Sequence, residues 1–254
     1  MKKAFTVMKK DLNEIKTSFQ ILGTMILAPG VLTAIAIITY AAMFPFIPDP
    51  NELITILSGP YLTPSLNVMF LMIPVLIPTY LAADSFVGEK IRKTIEALLI
   101  APISNKELLL GKILVSFVPT ILITYLFSGV YIIASNLLQI ICYGNIVYNF
   151  ASLGFLSGIV LHTPLLAMLD IEIMVVISLK VKGIREAQQI GGLLIIPVMS
   201  FMFFPYIGLD IYNFSNIFNV YIFLLVSLLY AGLVLLFYFL ALKAFRRQKI
   251  MQKI

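Results

Sequence analysis

The chain is short of nearly everything that enzyme chemistry or a soluble surface requires. Its single cysteine, Cys142, rules out an intrachain disulfide. Its single histidine, His162, argues against a catalytic triad. No segment matches the phosphate-binding pattern G-x-x-x-x-G-K-[ST], the zinc pattern H-E-x-x-H or a nucleophile elbow, so nucleotide hydrolysis and metalloprotease chemistry find no motif here. Charge is scarce as well, at 12% of 254 residues against 61% hydrophobic, a balance far from that of soluble domains. The formal charge of +6 does not point to nucleic acid. The basic residues sit in short blocks between apolar runs, a pattern of membrane topology rather than of a binding face.

What the chain does have is apolar length. Several runs of roughly 20 residues or more predict transmembrane helices. Residues 1–18 carry Lys2, Lys3, Lys9, Lys10 and Lys16, with Phe5, Met8, Leu12, Ile15 and Phe19 at three- and four-residue steps. This predicts an amphipathic helix lying on the membrane surface, its lysines toward anionic headgroups. The first apolar run is too long for a signal-peptide core and lacks a small-x-small cleavage site, so it is expected to be retained.

The spans are expected at about Phe19–Met43, Pro64–Ala83, Leu108–Leu138, Phe155–Leu179, Ile190–Phe204 and Val220–Leu242. Pro29 and Gly30 interrupt the first, and Pro74 and Pro78 predict a kink in the second. Pro197 and Pro205 break the fifth, and the polar stretch Tyr206–Asn219 reads as a re-entrant or surface-lying piece. If both termini, Asp84–Lys112 and Lys180–Glu186 share one side, every Lys and Arg lies on it and the opposite loops carry acidic charge only. The positive-inside rule makes that side cytoplasmic. The expected fold is therefore an all-α polytopic membrane protein with six transmembrane helices and both termini cytoplasmic.

The stretch Asp84–Lys112 holds the most charge of any interior segment. As a helix it puts Val87, Ile91, Ile95, Leu98 and Leu99 on one face and Glu89, Lys90, Arg92, Lys93 and Glu96 on the other. Glu89 and Lys93 are spaced for an i,i+4 pair. Pro102 predicts a stop near Ala101. Ser104 and Glu107 then form a capping box, with Ile103 and Leu108 at the staple positions, so a new helix starts there. Lys112 near its start is expected to snorkel to the cytoplasmic interface.

Three groups inside the apolar runs are candidate sites. His162 reads as a hydrogen-bonded link between helices. Asp170 and Glu172 are ionisable groups within a span, which mark function by default. Two residues apart on a helix, they point about 200° apart and cannot hold one ligand as a pair. They line a polar pathway or proton site, or they make structural hydrogen bonds to Ser, Thr or Tyr of a neighbouring helix.

The Asp84–Lys112 stretch resembles the signature of the ABC-2 type transporter permeases, the membrane subunits of ATP-binding-cassette exporters. That signature runs roughly E-R-x-R-G-T-L-E-x-L-L, then x-x-P-I-S, then E-L-x-x-G-K. Glu89, Arg92, Thr94, Glu96, Leu98 and Leu99 match its first part, Pro102, Ile103 and Ser104 its second, and Glu107, Leu108, Gly111 and Lys112 its third. Lys90, Ile91 and Lys93 depart from it. A weaker echo lies at Glu186, Ala187, Gln188 and Pro197.

The resemblance implies one permease domain over residues 1–254, with an interfacial helix at 1–18 and a cytoplasmic coupling helix region at 84–107. In it Glu89, Arg92, Thr94, Glu96, Leu98, Leu99 and Pro102 would meet an ATPase subunit. It further implies no cofactor on this chain, ATP and Mg on the partner, and a second permease copy or paralogue. The competing expectation is an autonomous proton-coupled transporter using Asp170 or Glu172. Such a carrier has no need of a charged cytoplasmic helix.

Overall fold

A computed structural model of the chain describes residues 8, 10–13, 19–57, 62–92, 104–151, 153–200 and 217–244. Among these the regular elements are all helical. They are α1 (Phe19–Ala41), a 3₁₀ turn (Phe44–Phe46), α2 (Pro50–Leu57), α3 (Leu62–Leu71) and α4 (Ile73–Ala82). A π-helical turn (Ala83–Gly88) and a last α turn (Glu89–Ile91) follow, then α5 (Asn105–Tyr143), α6 (Leu153–Ser178), α7 (Ile184–Met199) and α8 (Ile217–Ala244). Met8 and residues 10–13 also have helical backbone. A chain this apolar has little choice, since in lipid every backbone N–H and C=O must be satisfied within the protein.

Five stretches are long and apolar enough to cross a membrane: Ile21–Phe46, Ser65–Ile91, Lys106–Tyr143, Phe155–Ser178 and Val220–Lys243. They fall on the first, second, third, fourth and sixth expected spans. The expected fifth coincides with α7, whose described part has 16 residues. Its continuation to Phe204, and most of the polar stretch from Tyr206, lie outside the described residues.

The boundaries differ from expectation in ways the side chains explain. The second span is broken at Met72, because Pro74 at the start of α4 has no N–H to continue the ladder. The span does not end at Ala83 but winds through the π turn to Ile91. The polar run after α6 is a helix from Ile184, with Arg185 and Glu186 in its first turn rather than in a loop. Glu186 Oε2 accepts from the N–H of Lys182, just ahead of the helix, at 3.0 Å, and an acid at a helix N-terminus is favoured by the dipole.

The start of α5 is as the capping box predicts. Glu107 N–H donates to Ser104 Oγ at 3.2 Å, and Ser104 N–H donates to Glu107 Oε2 at 3.2 Å. The helix outlasts its expected end and runs 39 residues. It is held at the far end by Gln139, whose Oε1 accepts from Val147 and Tyr148 N–H while its Nε2 donates to the Tyr148 carbonyl. Gly144, at φ +79°, turns the chain out of the helix in the left-handed region.

Helix α6 is the centre of the bundle, packed against α3, α4, α5, α7 and α8, while α1 packs on α5 and α4. Lipid supplies no hydrophobic force between helices, so this contact rests on dispersion and buried polar links. One apolar cluster joins α4, α5, α6 and α8 around Leu166, Met174 and Tyr230. The other is aromatic. Tyr131 lies 5.1 Å from Phe70 and 5.4 Å from Phe150 between ring centres, and Tyr40 lies 5.0 Å from Phe150.

Candidate functional site

The charged segment at the end of the second span folds differently from a two-faced surface helix. Glu89 was expected on the polar face and Ile91 on the apolar one. Instead Glu89 is 2% exposed and Ile91 52% exposed. The reason is Lys112. Its side chain is fully buried, so it does not snorkel, and its ammonium sits 2.5 Å from Glu89 Oε2. The same ammonium donates to the Ser85 carbonyl at 2.7 Å, approaches Ser85 Oγ at 3.3 Å, and lies 5.2 Å from the centre of the Phe86 ring. Two buried ions cost several kcal/mol each in desolvation unless paired and hydrogen-bonded, and here Lys112 has both kinds of partner. With Glu89 neutralised, the second span has no electrostatic reason to stop at Asp84.

The cluster extends to the N-terminal segment. Asp11, itself buried, places Oδ2 3.9 Å from the Lys112 ammonium. Lys10 reaches Asp11 Oδ1 at 3.7 Å and Glu89 Oε1 at 3.8 Å. Two cations and two anions are thus gathered from three separated parts of the sequence. Beside them Arg92 folds back on Asp84, Nη1 to Oδ1 at 3.1 Å and Nη2 to Oδ2 at 3.3 Å, the paired geometry that guanidinium and carboxylate favour. Gly88 makes room for this, since a Cβ there would come within 2.8 Å of Asp84 Oδ1 and 3.1 Å of Arg92 Nη2.

Of the residues the sequence singled out, Glu89 and Arg92 are therefore engaged in ion pairs of this neck. Thr94, Glu96, Leu98, Leu99 and Pro102 lie outside the described residues, as does Lys93, the expected partner of Glu89. Sequence reasoning missed Asp11, Ser85 and Gly88 altogether. Only a lysine set just inside a long apolar run hinted that Lys112 has a buried partner.

Deeper in the bundle, Asp170 and Glu172 are both fully buried and part company as the helical angle requires. Asp170 Oδ2 lies 2.8 Å from Thr79 Oγ1 on α4. Thr79 Oγ1 is also 2.8 Å from the Val75 carbonyl, and its single proton serves one acceptor at a time. Among the described residues neither carboxyl oxygen of Glu172 meets a hydrogen-bond partner. His162 links two helices as expected. Ser227 donates to the Phe223 carbonyl at 2.8 Å, which leaves its oxygen to accept from His162 Nε2–H at 3.0 Å.

A helical bundle in which five described stretches are long and apolar enough to cross a membrane, with a buried charge cluster at one end of two of them, is a multi-pass membrane protein. A sequence model of the ABC-2 family transporter proteins matches residues 3–253, and the chain belongs to that family. It is thus a membrane transport protein of the ABC-2 permease type. A search of the curated proteins finds no match.

Proposed function

We propose that this chain is the permease subunit of an ATP-driven exporter in the cell membrane. It works with a separate ATPase subunit that binds ATP and Mg, and with a second permease copy or paralogue. It crosses the membrane six times with both termini in the cytoplasm, and the region 84–107 carries the coupling helix. ATP binding closes the ATPases, moves that region and opens a pathway at the permease dimer.

The observation that carries the reading is the contact of Lys112 with Glu89. It ties the end of the second span to the start of the third, so the described residues that flank the proposed coupling segment are held together at a charged end of the two spans. Family membership supplies the reason to expect an ATPase there. Within this reading Glu89, being buried, anchors the coupling segment, while Glu96 and its neighbours are the residues that meet the partner.

The test is to tag the chain, solubilise it gently from its own cells and identify stoichiometric partners by mass spectrometry. A P-loop ATPase that is lost on Glu96→Lys supports the proposal. A chain recovered alone under several mild conditions sinks it. That outcome turns attention to the second reading, proton-coupled transport, which the Glu172 carboxyl, without a hydrogen-bond partner among the described residues, favours. It predicts transport without any ATPase, abolished by Glu172→Gln.

A further inference from the structure

We infer that Lys112 is the positioning residue that locks the N-terminal segment to the root of the coupling segment. This deepens the function proposed above and rests on it. The ammonium of Lys112 is in contact with all three pieces. It touches Glu89 and Ser85 at the root of the coupling segment, it lies on the helix that begins the third span, and Asp11 of the N-terminal segment faces it at 3.9 Å.

Charge balance makes the arrangement conditional. Glu89 and Asp11 offer two negative charges to Lys112 and Lys10, and the ammonium of Lys112, like the carboxylates of Glu89 and Asp11, is away from bulk water. A buried charge separated from its counter-charge is strongly unfavourable, so these groups move together or not at all. Motion imposed on the segment beyond Arg92 is then transmitted at once to α5 and to the N-terminal segment. The π turn at Ala83–Gly88 suits this place, because such turns interrupt regular helix where a functional rearrangement occurs. Asp84 and Arg92 pair next to these groups. This pair sets the shape of the neck beside the cluster.

The experiment compares Lys112→Met, the paired Glu89→Gln/Lys112→Met, and Asp11→Asn in the full complex with its ATPase. Two readouts are taken in phosphatidylglycerol-containing vesicles. One is ATP turnover of the complex relative to the ATPase subunit alone. The other is the rate at which trypsin cleaves after the N-terminal lysines. Lys112→Met and Asp11→Asn are expected to speed N-terminal cleavage about tenfold and about threefold, and Lys112→Met to cut the permease-dependent turnover about tenfold. The paired variant leaves no lone charge at Glu89 or Lys112 and is expected to accumulate normally, yet to stay at least about fivefold down in turnover.

A paired variant with normal turnover and normal N-terminal protection overturns the inference, because the ions then serve folding only. If Lys112→Met fails to accumulate, the paired variant and Asp11→Asn decide the matter. If no ATPase accompanies even the unaltered chain, the proposed function has failed. The cleavage rates then still report whether Asp11 and Lys112 hold the N-terminal segment, and unchanged rates overturn that too.

Discussion

Glu172 and Asp170 sit two residues apart on the central helix, are equally buried, and should respond unequally to substitution. Glu172 has no hydrogen-bond partner among the described residues, so Glu172→Leu removes an unsatisfied buried polar group and replaces it with a packing side chain of similar length. Burial of such a group without a partner costs roughly 1–3 kcal/mol, and that is the stabilisation expected. Asp170→Leu removes Oδ1, which likewise has no partner among the described residues, but it gives up the bond to Thr79, worth about 0.5–1.5 kcal/mol, so it gains that much less than Glu172→Leu. Asp170→Asn, which keeps a group able to bond Thr79, stays near the starting value.

For a chain of this size each kcal/mol moves the apparent melting midpoint by about 2–4 °C. Glu172→Leu should therefore raise it by roughly 2–12 °C, and Asp170→Leu should fall roughly 1–6 °C short of the Glu172→Leu value. The assay heats detergent-solubilised, fluorescently tagged chain and scores the surviving peak by size exclusion. A fall in midpoint for Glu172→Leu would refute the reasoning, since it would mean that the carboxyl holds a partner in the working protein. Loss of transport with gained stability would show that the burden is kept for function.

Three further outcomes are expected. Cys142, exposed in the last turn of α5, should react with a membrane-impermeant maleimide in intact cells; labelling only after permeabilisation would reverse the proposed orientation. Tyr131 is fully buried among aromatic rings while its hydroxyl has no hydrogen-bond partner among the described residues. Tyr131→Phe should thus leave the melting midpoint unchanged or raised, whereas Tyr131→Ala should cost about 3–5 kcal/mol by the same assay. Gly191 packs directly on the Met174 sulfur, so Gly191→Leu should lose about 1–3 kcal/mol, and adding Met174→Ala should restore part of it.

The spans were legible because a bilayer demands about 20 consecutive apolar residues, a signal that survives without any tertiary information. The start of α5 was legible for a related reason, since Ser104 and Glu107 lie within one turn and cap each other whatever surrounds them. The neck was not. Charges from Asp84 to Arg92 read locally as an interfacial surface, and what buries Glu89 is Lys112, 23 residues later, together with Asp11 near the start of the chain. No period connects those positions. The helix at Ile184 was missed because Glu186 looks polar enough for a loop until its carboxylate is seen accepting from the Lys182 N–H. For Asp170 and Glu172 the sequence showed that they diverge, but not which of them would find Thr79.

Helix α5 is 39 residues long, which at about 1.5 Å per residue makes a rod of about 58 Å, nearly twice the roughly 30 Å of the hydrocarbon layer. Lys112 is near one end of it, and at the other the Tyr143 hydroxyl reaches the Ile47 carbonyl in the linker after the first span. Such a rod has mechanical advantage. Pivoting by about 5° at the charged end sweeps the opposite end through about 5 Å, more than the width of a water molecule. The displacement needed to part the far loops is thus already present, in amplified form, in a tilt too small to break a single ion pair at the fulcrum.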